Sequence, residues 1–138
     1  MGAHHDARAQ HGRQFSIFLD DRPGTLGQVM SLLGEREVNV YALTLAEGTG
    51  HGYVRMVVDR HEDAAAVLRE AGYLFFERDI VLLEIANTPG SLAAVACLWG
   101  GQGINIEYTY CAGGPAVDRG LVIVRAEEVD RAVSLVNE

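Results

Sequence analysis

The chain has few of the residues that mark covalent cross-linking or membrane insertion. It contains 2 cysteines in 138 residues, and Cys97 and Cys111 lack the C-x-x-C spacing of metal and redox sites. Lone cysteines of this kind are usually small buried hydrophobes in a reducing compartment. The long uncharged stretch from Ile85 to Ile106 is interrupted by Asn, Pro and Gly, which excludes a spanning helix. Because residues 1–14 have no apolar core of a signal peptide, we expect a cytoplasmic protein.

Positive charge is also scarce. The formal net charge is −8, and no run of Lys or Arg creates a basic patch, so neither nucleic acid nor an acidic membrane surface is an expected partner. Familiar catalytic motifs are missing as well, including the Walker loop, G-x-S-x-G and H-E-x-x-H. His61-Glu62-Asp63 begins like a zinc helix but continues with Ala65, and it is better interpreted as the acidic first turn of a helix. We therefore expect no catalytic residues, no cofactor and no metal site.

The amino-terminal segment lacks hydrophobic periodicity. Residues 1–13 are expected to be a flexible leader, since termini are poorly ordered unless other contacts hold them. The alternative is a metal-binding arm built from His4, His5 and His11, although no scaffold in the sequence fixes their geometry.

What the sequence does contain is an internal repeat. Pro23-Gly24 recurs as Pro89-Gly90, a step of 66 positions. The same step relates further pairs: Thr25 to Ser91, Leu26 to Leu92, Val29 to Val95, Asn39 to Asn105 and Val40 to Ile106. A solenoid needs three or more copies of a shorter repeat, whereas this repeat is 66 residues long and occurs twice. The repeat therefore indicates a duplicated small domain.

Each copy has the same succession of periodicities. Alternating apolar residues predict a strand at Phe15, Ile17 and Leu19, and again at Val81, Leu83 and Ile85. After the Pro-Gly turn, apolar residues at helical spacing predict a helix, which Gly34 and the glycines of 100–103 are expected to end. Two further strands follow, joined by Gly48-Thr49-Gly50 in the first copy and by Cys111 to Arg119 in the second, and then a second helix.

The predicted fold is α+β, with two ferredoxin-like βαββαβ modules whose antiparallel sheets carry helices on one face. We assign residues 14–78 to the first module and residues 79–138 to the second. The first module ends with a strand around Leu74 to Glu77, whereas the second stops after its last helix. Its fourth strand is missing, so the leader or another chain is expected to cover the open edge.

The duplicated turn is the strongest candidate for a binding site. It places a polar side chain, a rigid proline and a side-chain-free glycine at a helix start, where unpaired amides and the helix dipole suit a small anion. Thr25 and Ser91 stand where a hydroxyl can satisfy first-turn amides, with Asp21 and Asn87 as competing caps. The alternative is that Pro-Gly only makes the turn.

These motifs resemble those of ACT domains. The residues that carry the resemblance are Asp21-Arg22-Pro23-Gly24-Thr25-Leu26 with Glu37-Val38-Asn39-Val40, and Asn87-Thr88-Pro89-Gly90-Ser91-Leu92 with Gly103-Ile104-Asn105-Ile106. The resemblance spans Gln14 to Glu138 and implies a tandem ACT-domain protein, regulated by a small molecule, usually an amino acid. Such a ligand binds between paired modules whose sheets join side by side.

The resemblance also implies which residues contact the ligand. They are the polar residue before the turn, the turn itself and the strand Asn with its neighbour: Asp21, Arg22, Pro23, Gly24, Thr25, Leu26, Asn39 and Val40 in the first copy, and Asn87, Thr88, Pro89, Gly90, Ser91, Leu92, Asn105 and Ile106 in the second. Asp21 departs from the family's usual Asn, so the two sites need not be equivalent.

Three functions follow from this pattern. The first is an amino-acid-sensing protein without a reaction of its own. The second is a noncatalytic regulatory subunit or interaction module of an amino-acid biosynthetic enzyme. The third is a small enzyme on the same ferredoxin-like frame, because a fold alone does not fix function. Open sheet edges further predict a homodimer.

Overall fold

The structure is a computed structural model that describes residues 6–48 and 51–138. Six strands and four helices follow one another along the chain: β1 (Arg8–Asp20), α1 (Thr25–Glu35), β2 (Val40–Gly48), β3 (His51–Val58), α2 (His61–Glu70), β4 (Phe75–Ala86), α3 (Ser91–Gly101), β5 (Ile106–Ala112), β6 (Arg119–Ala126) and α4 (Val129–Asn137). Thr49 and Gly50, expected in the first hairpin connection, lie outside the described residues, as do His4 and His5. None of the helices within the described ranges combines the length and the apolar character needed to cross a membrane.

The chain divides into two compact units. One is Arg13–Arg78, and the other joins the described residues up to Gly12 with Asp79–Glu138. In the first, the strand order is β2-β3-β1-β4, and β1 and β3 pair antiparallel with Ile17 opposite Val54. Helices α1 and α2 pack on one face through a buried cluster with those strands: Phe15, Ile17, Leu19, Val29, Leu33, Val54, Met56, Ala64 and Leu68. Burial of each such aliphatic side chain stabilises the unit by about 1.5–3 kcal/mol.

The other unit repeats this arrangement with order β5-β6-β4-β1. Strands β4 and β6 pair antiparallel, with Leu83 opposite Val122. Its core contains Trp99, the single tryptophan of the chain, which is 1% exposed. The indole Nε1 donates a hydrogen bond of 3.0 Å to the carbonyl of Ala132, so α3 is tied to α4. The α+β class with two βαββαβ modules is confirmed.

The fourth strand of this unit comes from the amino-terminal segment. Strand β1 begins at Arg8, and its first residues belong to the unit of 79–138, where β1 neighbours β4. Ala7 and Ala9 are buried in the same cluster as Leu83 and Trp99. The expectation of a flexible leader is therefore wrong for residues 8–13, because they form the first part of β1 and Ala9 packs in the core of this unit.

Side chains of the second module hold this segment in place. Asn137 at the end of α4 contacts the backbone of Ala9 twice: Ala9 N donates to Oδ1 at 3.0 Å, and Nδ2 donates to Ala9 O at 2.8 Å. His11 hydrogen-bonds through Nδ1 to Asp130 Oδ1 at 2.9 Å. Arg119 Nη2 donates to the carbonyl of Asp6 at 2.6 Å. The amino-terminal strand is thus fixed by α4 and β6 as well as by β4.

Two boundaries differ from the sequence expectation. The strand predicted around Leu74 to Glu77 and the one predicted from Val81 form a single strand, β4, because no turn-forming residue separates them. Gly34 does not end the first helix but lies inside its last turn. The left-handed residue there is Glu37 (φ 59°), whereas the second copy has Gly103 (φ 76°) at the same position.

Candidate functional site

The two Pro-Gly turns adopt the same conformation. Gly24 immediately precedes α1 with φ 92°, and Gly90 immediately precedes α3 with φ 86°. Side chains rarely tolerate this left-handed region, so glycine is required at both positions. The repeat found in the sequence therefore marks two equivalent helix starts.

Neither helix start is capped by a side chain. The Thr25 hydroxyl instead donates to the carbonyls of Asp20 (3.0 Å) and Arg22 (3.2 Å), so its expected capping role is wrong. Ser91 Oγ lies 2.8 Å from Thr88 Oγ1 and does not cap α3 either. Backbone amides of the first turn have no acceptor within a helix, so these turns leave N–H groups for another acceptor.

The second turn borders a cavity of about 460 Å³. The cavity lies between the β4–α3 turn, the outer part of strands β5 and β6, and the loop that joins those strands. Its lining is Ile85, Ala86, Asn87, Thr88, Leu92, Cys111, Ala112, Gly113, Gly114, Pro115, Val117, Gly120, Leu121 and Val122. A volume of this size is typical of small-molecule sites.

Asn87 connects the turn to the loop on the other side of the cavity. Its Nδ2 donates to the carbonyl of Gly114 at 3.2 Å and to the carbonyl of Val117 at 2.9 Å. The Asn87 backbone N–H donates to the carbonyl of Asp118 at 2.9 Å. Both amide hydrogens of the side chain are therefore engaged, and its Oδ1 is the acceptor that remains for a ligand.

The first turn borders a different and smaller cavity of about 280 Å³. Asp20, Arg22, Thr25 and Gln28 line it together with Phe18 and Leu19 of β1 and residues 71–74 between α2 and β4, and Arg22 Nε lies 3.5 Å from Asp20 Oδ2. Asp21, which occupies the position of Asn87, is not in this lining. An aspartate carboxylate has no N–H to donate, so Asp21 cannot hold a loop as Asn87 does. The two turns therefore have the same backbone conformation but different side chains around them.

Only part of the residue set implied by the resemblance comes together within a module. Asn87, Thr88 and Leu92 line the larger cavity, and Arg22 and Thr25 line the smaller one. The rest line neither of these two cavities: Asp21, Pro23, Gly24, Leu26, Asn39, Val40, Pro89, Gly90, Ser91, Asn105 and Ile106.

The strand asparagines are remote from the turns of their own modules. An 11-residue helix such as α1 or α3 is about 16 Å long, and Asn39 and Asn105 follow its far end. The Asn39 N–H donates to Asp59 Oδ1 at 2.8 Å, which fixes the entry into β2.

The sequence interpretation missed the loop side of the larger cavity. The sequence predicts residues 111–119 only as a connection between strands, yet Cys111, Gly113, Gly114, Pro115 and Val117 form one wall. The turn-forming Gly-Gly-Pro run was the available signal. It did not indicate that Asn87 would hold the loop against the turn, because that contact joins residues 27 to 30 positions apart.

A separate polar pair lies at the start of α2. His61 hydrogen-bonds to Glu77 of β4, and its ring stacks on Phe15 with centroids 4.1 Å apart. The hydrogen bond from His61 holds the pKa of Glu77 below its ordinary value, with Arg13 adding to the effect and partial burial opposing it. Among the described residues, no group of three or more His, Cys, Asp or Glu side chains is arranged to hold a metal ion.

Solved structures with the same architecture are numerous. Protein BT0572 from Bacteroides thetaiotaomicron is 28% identical, with a TM-score of 0.85 over 94% of this chain and 88% of that one. The ligand-free regulatory subunit of aspartate kinase from Thermus thermophilus is 24% identical, with a TM-score of 0.70 over 95% and 94%. The corresponding subunit from Thermus flavus is 23% identical, with a TM-score of 0.64 over 96% and 95%. No curated protein matches the sequence.

The family comparison agrees with the repeat and with the two units. A model described as an ACT domain pair matches residues 11–138, nearly the whole chain. The match covers both Pro-Gly turns, each at a helix start in its own βαββ unit. The chain belongs to the ACT domain family and carries two ACT domains in tandem.

Proposed function

We propose that this chain is a noncatalytic regulatory protein that binds an amino acid in the cavity beside Pro89-Gly90. The observation that carries the proposal is the cavity itself, in which Asn87, Thr88 and the start of α3 lie against the loop of residues 112–117. The membership of the chain in the ACT domain family supports a regulatory role.

The polar end of the cavity suits a zwitterion. The N–H of Ser91 donates to Thr88 O and that of Ala94 to Gly90 O, which leaves the intervening first-turn amides of Leu92 and Ala93 for a carboxylate. The positive end of the helix dipole lies at the same place. Asn87 Oδ1 accepts a hydrogen bond from the ammonium group, so both charged groups of an amino acid find partners of the right kind.

Association of two chains gives the strand asparagines a part in this site. Asn39 and Asn105 lie at the far ends of their helices, so each reaches a ligand only beside the turn of another module. We propose that a second copy of the chain supplies this contact, as the pairing of ACT modules implies. Asn105→Ala tests it, since loss of the polar contact is expected to weaken binding about tenfold while the fold is kept.

The two aspartate kinase subunits named above suggest a second function. They are regulatory subunits of an enzyme, so this chain is alternatively the regulatory partner of an amino-acid biosynthetic enzyme. Both functions share the amino-acid site and differ in whether a second protein receives the signal.

A thermal-shift screen of the amino acids tests the shared site. A ligand present at a hundred times its dissociation constant adds about 2.7 kcal/mol to the free energy of unfolding. We expect at least one amino acid to raise the unfolding temperature of the wild-type chain. Failure of all of them at millimolar concentration would contradict the proposal.

Matched variants of the two turns locate the site. Asn87→Asp replaces the two N–H donors by a carboxylate that repels the carbonyls of Gly114 and Val117, so the loop is released and binding weakens at least tenfold. Asp21→Asn makes the reverse change in the first module and serves as the control. If Asn87→Asp folds and keeps the wild-type affinity, the ligand does not bind beside the second turn.

A further inference from the structure

Polar side chains line the larger cavity at one end only. Asn87 and Thr88 stand at the turn, while the remaining side chains are apolar except for the thiol of Cys111, with Ile85, Leu92, Val117 and Leu121 as the largest. Within the part of the chain that the structure describes, the lining has no carboxylate, guanidinium, ammonium or imidazole group.

Two carbonyls of the loop wall and the Thr88 hydroxyl at the turn already take part in hydrogen bonds within the protein. The loop carbonyls of Gly114 and Val117 accept hydrogen bonds from Asn87 Nδ2, and Thr88 Oγ1 is hydrogen-bonded to Ser91 Oγ. A charged group placed among the apolar side chains would lose part of its hydration, and no lining side chain of opposite charge would compensate for that loss. A hydroxyl group would lose hydrogen bonds to water in the same way, at a smaller cost.

Two of the apolar side chains are also open to solvent at the cavity. Leu92 is 40% exposed and Val117 is 43% exposed, and they lie on the helix and the loop that border it. An aliphatic group between them removes apolar surface of both partners from water, which favours binding. The side of the cavity away from the turn therefore selects for an apolar group.

The uncharged lining is found at the second turn and not at the first, although both turns have the same backbone conformation. The lining of the cavity at the equivalent first turn includes a carboxylate and a guanidinium, which the larger cavity lacks; its members are Asp20, Arg22, Thr25, Gln28, Phe18, Leu19, Ala71, Gly72, Tyr73 and Leu74. The same backbone thus carries a charged lining in one module and an uncharged one in the other.

On the basis of the proposed amino-acid site, we infer that the ligand at the second turn is an amino acid with an aliphatic, uncharged side chain. Its carboxylate and ammonium group are held at the turn, and its side chain lies against Leu92 and Val117. Amino acids with cationic, acidic or hydroxyl side chains are rejected by the cost of desolvating those groups.

Calorimetric titration with matched ligands tests the inference on the wild-type chain. Valine and threonine have the same shape and differ by a methyl for a hydroxyl, and norleucine is lysine without its ammonium group. We expect valine to bind at least tenfold more tightly than threonine. Norleucine is expected to bind at least a hundredfold more tightly than lysine.

The outcomes separate the two proposals. If threonine or lysine binds as tightly as its apolar counterpart, the inference about the side chain is wrong, while the amino-acid site stands. If none of the four ligands, nor any other amino acid, binds, the proposed function itself is wrong.

A substitution in the wall gives a second readout. Val117→Asp places a carboxylate among the apolar side chains on an exposed loop, and we expect it to weaken norleucine binding at least tenfold and to narrow or reverse the preference over lysine. Phe76→Asp, on an exposed residue outside the cavities at both turns, is the control and is expected to leave the preference unchanged. An unchanged preference in folded Val117→Asp would contradict the inference.

Discussion

At the scale of single residues, one backbone position shows how the two copies have diverged. Glu37 and Gly103 occupy equivalent left-handed positions after α1 and α3, with φ 59° and 76°. A side chain in this region costs about 1–2 kcal/mol, so the first module carries strain that the second avoids. Nothing lies within 4 Å of a Cβ added at Gly103, so the cost of a substitution there is conformational and not steric.

Exchange of the residues at these two positions tests this account. Gly103→Ala is expected to lower the free energy of unfolding by about 1 kcal/mol, and Glu37→Gly to leave it unchanged or to raise it slightly. Urea denaturation followed by circular dichroism measures both. If Gly103→Ala is as stable as the wild type, glycine is not required at this left-handed position.

The pair of His61 and Glu77 predicts a dependence of stability on pH. The folded state holds the pKa of Glu77 below its ordinary value of 4.5, so the folded state binds this proton less readily than the unfolded chain does. The stability that results is present above about pH 4.5 and is lost as the pH falls through the folded value.

Glu77→Gln is expected to flatten this dependence. We expect the free energy of unfolding of the wild type to fall more steeply than that of the variant as the pH is lowered from about 7 to 3. Glu62→Gln, on an exposed residue of the same helix turn as His61, is the control and is expected to follow the wild type. If the free energy of unfolding depends on pH in the same way in wild type and in Glu77→Gln, Glu77 does not contribute this pH-dependent stability.

At the scale of secondary-structure elements, the amino-terminal part of β1 has the largest consequence. It is the fourth strand of the second sheet, and Asn137 fixes it with two hydrogen bonds to Ala9. Because Ala7 and Ala9 belong to the buried cluster of that module, the core of the second ACT domain depends on residues far away in the sequence.

Asn137→Ala tests this dependence. Loss of both hydrogen bonds is expected to destabilise the second module by about 1–3 kcal/mol, and hydrogen exchange at the Ala9 amide is expected to become faster. The buried Trp99 reports on the same module by fluorescence. Glu138→Ala is the control. Unchanged exchange at Ala9 in the variant would mean that Asn137 does not hold the strand.

At the scale of the whole molecule, the edge strand β2 is available for pairing with another chain. One reason to expect a homodimer from the sequence is that the second module lacks a fourth strand. That reason does not hold, because the amino-terminal segment supplies this strand. Strand β2 still ends its sheet, and it exposes Tyr41 (49%), Leu43 (39%) and Leu45 (55%). An edge strand with exposed apolar side chains favours pairing with another chain.

Light scattering is therefore expected to give twice the 14.9 kDa of one chain. The double variant Leu43→Lys, Leu45→Lys is expected to weaken the dimer, because charges on an edge strand oppose pairing. Leu74→Lys, at an exposed leucine outside β2, is the control and is expected to stay dimeric. A wild-type mass of one chain at micromolar concentration would contradict the prediction.

The sequence by itself determined the architecture, because periodicity and turn chemistry act over short distances. The step of 66 positions located both Pro-Gly turns, and alternation and helical spacing located the strands and helices within each copy. Asn87 was identified from its place before the turn, but its two contacts to the loop were not.

Only the tertiary structure decided which segments meet. The pairing of residues near Ala9 with the second module, the position of the loop at 112–117 opposite Asn87, and the distance of Asn105 from its own turn all depend on contacts between distant parts of the chain. Short-range patterns carry no information about such contacts, since the same strand or loop signal is compatible with many partners. A strand or loop takes one partner because that contact buries its apolar side chains, and this burial occurs only when the sheet and its helices form a core.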